Sequence, residues 1–336
     1  MATTNIATDI QNITGVTTAN AGFITSAQKF VASKIPKDLL GFAKVKSGDI
    51  DTGNHTNDKL STSKITEVVR DGYFCTQISV EQAAFANDSA SLQKSTEKFP
   101  TYTIIGDSAG AKLQIHPTPT NSKVANYYFI DPTTIDDDTV LMSAVIYHAV
   151  SNEYSKLLND NMPVFVSVAP PTAPTLSSNS ITFNTSVPTY TPPPMGSLDF
   201  ADTENLITNE EDSEMLSSRI SEINAKISEY SAKIQESQAL FNKENTEYQA
   251  KLKKSIEDGR LSSQDDAQKI QKFSAELQEY QTKINDELQK FASKLQKTQV
   301  YSAEGKKYYD WSVNEITLYI QNNSTILQAT MAQSRK

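Results

Sequence analysis

Residues 222–252, EINAKISEYSAKIQESQALFNKENTEYQAKL, set the architecture of the second half of the chain. Apolar residues recur there every three or four positions, the spacing of positions a and d in a heptad repeat. With its neighbours the series is Leu216, Ile220, Ile223, Ile227, Tyr230 and Ile234, continued by Phe241, Tyr248 and Leu252. No glycine or proline interrupts it before Gly259. The pattern predicts a long amphipathic helix of coiled-coil type.

A second stripe follows a short polar segment. It consists of Ile270, Phe273, Leu277, Tyr280, Ile284, Leu288, Phe291 and Leu295. Between the stripes, SIEDGRLSSQDDA has too few alternating oxygen ligands for a calcium loop, so it predicts a turn. We expect Gly259 to end the first helix and Ser262 or Ser263 to cap the second.

Two long helices joined by a short loop lie antiparallel. Residues 197–304 therefore predict an antiparallel coiled-coil hairpin, in which Tyr230 and Phe291 lie close together. Gly305 predicts a second break, followed by a separate C-terminal helix over 305–336 that is rich in aromatic residues. That helix is either a core helix or a contact with another subunit, where aromatic anchors are favoured.

Residues 163–196 differ in character, because they hold eight of the 13 prolines together with many Ser and Thr. This composition predicts an extended, polyproline-like arm. Two alternatives remain open for it. The arm lies along the surface of its own chain, or it reaches a neighbour, with SITFNTSV at 180–187 adding as an edge strand.

The first half of the chain mixes helices and strands. Residues 1–20 lack an apolar period and predict a flexible or docking N-terminal arm, and residues 21–162 predict a helical body with a small β insertion. The expected helices are Thr25–Phe42, interrupted near Pro36, and Thr139–Leu158. The fold class predicted for the whole chain is α+β, mainly α.

The β insertion has clear local signals. Asp71-Gly72 lies between two β-favouring runs and predicts a hairpin. Ser79 and Gln82 predict a capping box at the start of a short helix. Three further strands are expected to form one meander: Thr101–Ile105, Ala111–His116 and Ala125–Ile130.

The stretch IGDSAG, residues 105–110, matches G-x-S-x-G, the nucleophile motif of serine hydrolases. That motif requires a strand before the serine and a helix after it. Here Leu113 and Ile115 alternate with polar residues up to Pro117, which predicts a second strand. A hairpin loop is therefore favoured, and an esterase using Ser108 is the alternative from another class.

No catalytic, cofactor-binding or metal-binding residue is predicted. The three histidines, His55, His116 and His148, are scattered along the sequence. The run Asp136–Asp138 offers carboxylates, but adjacent residues cannot all face one ion, so helix capping is the favoured interpretation. Neither a P-loop nor a G-x-G-x-x-G motif occurs.

Composition restricts the class of protein further. A net charge of -9 argues against a protein that binds nucleic acid through a basic surface, although it suits a passage for DNA. The single cysteine, Cys75, excludes an intrachain disulfide and indicates a reducing compartment. No apolar run is long enough to cross a bilayer, and the start lacks the pattern of a secretory signal, so no membrane partner is expected.

Four segments over residues 20–160 together resemble the head-to-tail adaptor (connector) proteins of tailed bacteriophages. They are FITSAQKFVASKIPKDLL, VVRDGYFCTQIS, ANYYFIDPTTIDDDT and LMSAVIYHAVSNEYSKLL. The resemblance implies a helical body with a small β insertion and a ring of usually twelve copies beneath the portal protein. The proline-rich arm and the hairpin depart from the compact form, although the hairpin resembles coiled-coil additions of other phage virion proteins.

The resemblance implies a non-enzymatic virion structural protein, a neck adaptor subunit that docks further tail or fibre proteins. It is assembled in the host cytoplasm, and DNA passes through its ring without specific binding. The alternative among structural proteins is a tail-associated or fibre-attachment ring.

Overall fold

The computed structural model describes residues 5–51, 54–56, 65–88, 90–107, 110–176, 186–194, 213–258 and 264–334. Helices make up 63% of the chain, so the predicted class, α+β and mainly α, is confirmed. The helices are α1 (Ile6–Thr14), α2 (Ala21–Lys34), α3 (Val80–Asn87), α4 (Thr139–Asp160), α5 (Ser213–Asp258) and α6 (Gln264–Ser334). The strands are β1 (Lys44–Lys46), β2 (Asn54–Thr56), β3 (Ile65–Arg70), β4 (Tyr73–Phe74), β5 (Thr76–Gln77), β6 (Thr101–Asp107), β7 (Gly110–His116) and β8 (Ala125–Ile130).

The chain divides into two compact units. Unit 1 comprises Met1–Glu153 and Lys307–Lys336, and unit 2 comprises Tyr154–Lys306. The division falls inside α4 and α6, both of which continue from one unit into the other. The divisions fall at 153/154 and 306/307, so the second lies two residues from the boundary predicted at 304/305, whereas the first lies inside α4 and before the boundary predicted at 162/163.

Unit 1 contains two four-stranded sheets, ordered β1-β8-β3-β4 and β2-β7-β6-β5. The predicted single meander is wrong, since β8 pairs with β1 and β3 while β6 and β7 pair in the other sheet. Pro117 and Pro119 have no backbone N–H to extend the ladder after β7, and the chain turns at Thr120–Lys123. Side chains from both sheets share one core, formed by Ile50, Val68, Tyr102, Leu113, Ile115, Ala125, Tyr127 and Phe129.

The local predictions in the β insertion are confirmed. Asp71 and Gly72 both have positive φ, 49° and 82°, and they join β3 to its antiparallel partner β4. The side chain of Ser79 accepts from the backbone N–H of Gln82, and the side chain of Gln82 accepts from the N–H of Ser79. This reciprocal pair begins α3 as the sequence predicts.

The helical part of unit 1 packs α2, α4 and the C-terminal part of α6 together. Phe30 of α2 stacks on His148 of α4, and Tyr309 of α6 contacts both rings. The hydroxyl of Ser312 donates to the carbonyl of Ala144 over 2.8 Å. The end of α6 is thus a core helix of unit 1, the first of the two alternatives that the sequence left open.

Two predictions near the N-terminus need correction. Residues 6–14 form helix α1 rather than a flexible arm, because Asn5 caps its start, Gly15 ends it in the left-handed conformation and Ile10 is buried. The predicted interruption near Pro36 is confirmed, because Ile35 is extended in front of it and α2 ends at Lys34, but the part up to Phe42 forms only short 3-10 helices, Lys37–Leu39 and Gly41–Ala43.

Unit 2 contains the hairpin, and its antiparallel pairing is confirmed. The rings of Tyr230 and Phe291 lie 5.8 Å apart, as do those of Phe241 and Tyr280. Residue numbers in the two pairs add to the same value, which is the signature of two antiparallel helices in constant register. The turn with Gly259, Ser262 and Ser263 and the side chains of Leu216 and Ile220 lie outside the described residues.

The described parts of the proline-rich segment pack on the hairpin of the same chain. This is the first of the two alternatives, an arm along the surface of its own chain. Tyr190 is buried in the hairpin core, and its backbone N–H donates to the hydroxyl of Tyr280. Tyr230 donates its hydroxyl hydrogen to the carbonyl of Pro193. Residues 177–185, which include most of SITFNTSV, lie outside the described residues.

The predicted break at Gly305 is wrong. Helix α6 runs through it without interruption, and Gly305 is buried together with Ser302 on the same side of the helix. A glycine costs a helix about 1 kcal/mol relative to alanine. Burial of the apolar residues that follow in the same helix offsets that cost.

Candidate interaction surfaces

The G-x-S-x-G segment connects two paired strands. Gly106 pairs with Ala111, and Asp107 pairs with Gly110, so β6 and β7 are hydrogen-bonded up to the loop. A strand therefore follows the motif where a hydrolase would have a helix. Ser108 itself lies outside the described residues.

The structure does not bring the described histidines together with a nucleophile. His148 is completely buried in the helical part of unit 1, where its ring lies 3.9 Å from that of Phe30. Burial lowers the pKa of His148 from 6.5 to about 3. His116 is buried at the end of β7, and burial lowers its pKa as well. The side chain of His55 is not among the described ones.

Asp136 and Asp138 of the aspartate run accept hydrogen bonds from neighbouring helices. Asp138 accepts from the backbone N–H groups of Val140 and Leu141, which confirms helix capping at the start of α4. Asp136 accepts from the side-chain amide of Gln28 on α2. In the part of the chain that the structure describes, no group of three or more His, Cys, Asp or Glu side chains is arranged to hold a metal ion.

A set of large apolar side chains on unit 1 is exposed to solvent. We call it the β-edge surface. Its members are Tyr73, Phe74, Val80, Phe85, Leu92 and Phe99. Phe74 is 71% exposed and Phe99 is 78% exposed, although phenylalanine is usually a buried residue.

Backbone pairing joins the residues that follow Phe74 to the residues that follow Phe99. Thr76 of β5 is the parallel partner of Thr101 of β6, and the N–H of Thr76 donates to the carbonyl of Pro100. Phe74 itself pairs with Val69 of β3 in the other sheet, and the N–H of Phe99 donates to the carbonyl of Thr96 in the turn before β6. The neighbouring helix α3 packs on β6 and β7 through Ala83 and Ala86, which leaves Val80 and Phe85 outside.

A second exposed apolar set lies on the helical part of unit 1. We call it the helical stripe, and it comprises the exposed Val140 of α4, Trp311 and Leu318 of α6, and the half-buried Tyr147 of α4. Tyr147 and Trp311 pack edge to face with centroids 5.5 Å apart. Lys307 extends its ammonium group over Trp311, 4.8 Å from the ring centroid. Lys307, Trp311 and Leu318 share one face of α6, because their spacing is four and seven residues.

Sequence reasoning missed the β-edge surface. An apolar residue in a strand is assigned to the core by default, and Tyr73 and Phe74 follow that pattern. The structure shows that β4 and β5, on either side of Cys75, are only two residues long, and no pattern in the sequence indicates this.

Comparison with protein-family models, curated proteins and solved structures finds no match to this chain. Within the described ranges, every helix is too short or too polar to cross a membrane.

Proposed function

We propose that the chain is a non-enzymatic structural protein of a tailed bacteriophage virion, a subunit of the ring that joins head to tail. In this role unit 1 contacts further copies of itself, and the hairpin of unit 2 docks tail or fibre proteins. The ring lies beneath the portal protein and lets DNA pass without specific binding. It is assembled in the host cytoplasm.

The observation that carries this proposal is the β-edge surface. Soluble monomers rarely expose contiguous apolar patches of more than a few hundred Å², and larger patches mark interaction sites. Phe74, Phe85 and Phe99 are of the aromatic type that is enriched in protein interfaces. A chain with such a surface is expected to function in an assembly.

The hairpin supports the docking role. Helix α5 has 46 residues, which at 1.5 Å per residue is about 69 Å of helix. Its outer face carries Glu–Lys pairs four residues apart, such as Glu229 with Lys233. The apolar side chains of the two helices pack against each other. The solvated outer faces of this long helix pair are therefore available for contact with another protein. The neck position and the number of twelve copies rest on the resemblance of residues 20–160.

Electron microscopy of the purified full-length chain in negative stain tests the proposal. We expect ring-shaped particles with a central opening. Uniform small particles at every concentration would contradict it. A fluorophosphonate probe tests the enzymatic alternative in the same sample, with Ser108→Ala as the matched control. Stoichiometric labelling that the substitution abolishes would overturn the non-enzymatic assignment.

A further inference from the structure

We propose that three aromatic rings on the helical part of unit 1 form a binding site for a methylated ammonium cation, and that the ammonium group of Lys307 holds the place of this ligand in the free chain. We call the site the aromatic corner. It consists of Tyr147 of α4 with Tyr308 and Trp311 of α6. The site is independent of the proposed ring, because all of its residues belong to unit 1 of a single chain.

The three rings of the aromatic corner are in mutual contact. The ring centroid of Trp311 lies 5.0 Å from that of Tyr308 and 5.5 Å from that of Tyr147. The centroids of the two tyrosine rings are 6.0 Å apart. The ring planes of Tyr308 and Trp311 are inclined by 79°, so these two rings form the walls of the corner, and Tyr147 packs against both of them from the neighbouring helix.

A cation already lies against both walls. The Nζ atom of Lys307 is 4.8 Å from the ring centroid of Trp311 and 5.1 Å from that of Tyr308. Both distances fall within the range of about 6 Å over which the face of an aromatic ring attracts a cation. Proteins recognise quaternary ammonium ligands through several such ring faces at once. The corner therefore has the chemistry of an ammonium site, and a side chain of the same helix occupies it.

The walls of the corner are fixed, whereas its occupant is flexible. Each of the three rings is followed in sequence by a buried residue of the helical core, namely His148, Tyr309 and Ser312. The hydrogen bond from the Ser312 hydroxyl to the carbonyl of Ala144 joins the two helices directly. Lys307 is exposed, and its ammonium group is attached through a flexible four-carbon chain. A preformed site with a flexible internal occupant favours exchange of that occupant for a ligand.

The corner is accessible from solvent, because Trp311 is 41% exposed and Tyr147 and Tyr308 are half-buried. Cation–π contacts at exposed positions are weak, so a second cation can compete with Lys307 for the two ring faces. Methylation of the nitrogen favours the competitor. A lysine ammonium group has three N–H donors that need acceptors when they leave water, whereas a quaternary ammonium group has none.

Fluorescence tests the site, because Trp311 is the single tryptophan of the chain. The full-length chain is titrated with choline. The matched ligand control is the neutral analogue of choline that has carbon in place of nitrogen, and sodium chloride at equal concentrations controls for ionic strength. We expect choline to change the emission of Trp311 in a saturable way, and neither control to do so.

Three variants test the roles of the side chains. Lys307→Gln empties the corner and should bind choline about two- to fivefold more tightly, the factor to which one exposed cation–π contact corresponds. Lys306→Gln removes the same charge from the adjacent position and should bind choline nearly as the wild type does. Tyr308→Leu removes one wall and should lose the response, while circular dichroism shows an unchanged helix content.

Saturable binding of choline that tightens only in Lys307→Gln supports the proposal. Equal tightening in Lys306→Gln would reveal a general effect of charge and overturn the assignment of Lys307 as the occupant. An equal response to the neutral analogue, or a response that Tyr308→Leu retains, would overturn the recognition of a cation by the rings. Absence of saturable binding to Lys307→Gln would overturn the site itself, whatever the mass of the chain in solution.

Discussion

The rings of Tyr230 and Phe291 meet edge to face across the two helices of the hairpin, with their centroids 5.8 Å apart. Edge-to-face geometry is favoured between aromatic rings and adds to the stability that burial provides. The same register continues at Phe241 and Tyr280, so the contact fixes the alignment of α5 against α6.

This alignment predicts a specific crosslink. In a Cys75→Ser background, Tyr230→Cys with Phe291→Cys should form a disulfide within one chain on mild oxidation. Tyr230→Cys with Phe273→Cys is the control, because Phe273 belongs to the separate cluster around Tyr248. Non-reducing electrophoresis distinguishes the products, and a crosslink found only between chains would mean that the two helices belong to different subunits.

The proline-rich segment should contribute to the stability of unit 2. Tyr190 is buried against Phe165 and Phe241, so Tyr190→Ala removes an aromatic ring from a packed core. Such truncations lower the free energy of unfolding by about 3 kcal/mol. Urea unfolding measures the change, and Thr189→Ala, at an exposed neighbouring position, should leave the midpoint unaltered. An equal, small effect of both substitutions would mean that the segment does not pack on the hairpin.

His148 should make the stability of unit 1 depend on pH. Burial lowers its folded-state pKa from 6.5 to about 3, so between these values the unfolded chain binds a proton that the folded chain does not. The free energy of unfolding therefore falls as the pH falls below 6.5, by about 1 kcal/mol from pH 7 to 5.5.

Denaturant unfolding at several pH values measures this loss, and His148→Phe should remove it while keeping a ring against Phe30. The residual slope then includes the contribution of His116, whose pKa burial also lowers. An unchanged slope in the His148→Phe variant would contradict the burial of His148 in the folded state.

Cys75 should be a poorly reactive thiol. Burial raises its pKa to about 12, and the nearby Arg70 only partly opposes this. At pH 8 the thiolate fraction is then more than 100-fold below that of a free cysteine. Reaction with an aromatic disulfide reagent should be correspondingly slow. Thr76→Cys in a Cys75→Ser background, at the exposed next position, should react at an ordinary rate; equal rates would show that Cys75 is accessible and unperturbed.

The hairpin and the short-range motifs were predictable from sequence because their signals are local. Heptad spacing identifies the stripe from Ile223 to Ile234, and Asp71-Gly72 and Ser79 with Gln82 specify their turn and cap through neighbouring residues alone. The sheet topology was not predictable, because whether β8 pairs with β7 or with β3 depends on contacts distant in sequence. The break predicted at Gly305 is absent from α6, because burial of the neighbouring side chains outweighs the low helix propensity of glycine.

The candidate interaction surfaces illustrate the same limit. Phe30 and Phe99 are the same residue type, and only the folded structure shows that the first stacks on His148 while the second is exposed. Ser108 lies in a sequence that matches a hydrolase motif. In the structure, two paired strands flank that sequence, whereas a hydrolase requires a strand before it and a helix after it. The surfaces that carry the proposal consist of side chains whose exposure no local pattern encodes.

The mass of the purified full-length chain in solution tests the central claim most directly. Native mass spectrometry or mass photometry over a range of concentrations is the appropriate measurement. The account predicts a closed assembly of many copies, and twelve copies of a 37.0 kDa chain give about 444 kDa. A single species of one chain mass at the highest concentration would contradict it.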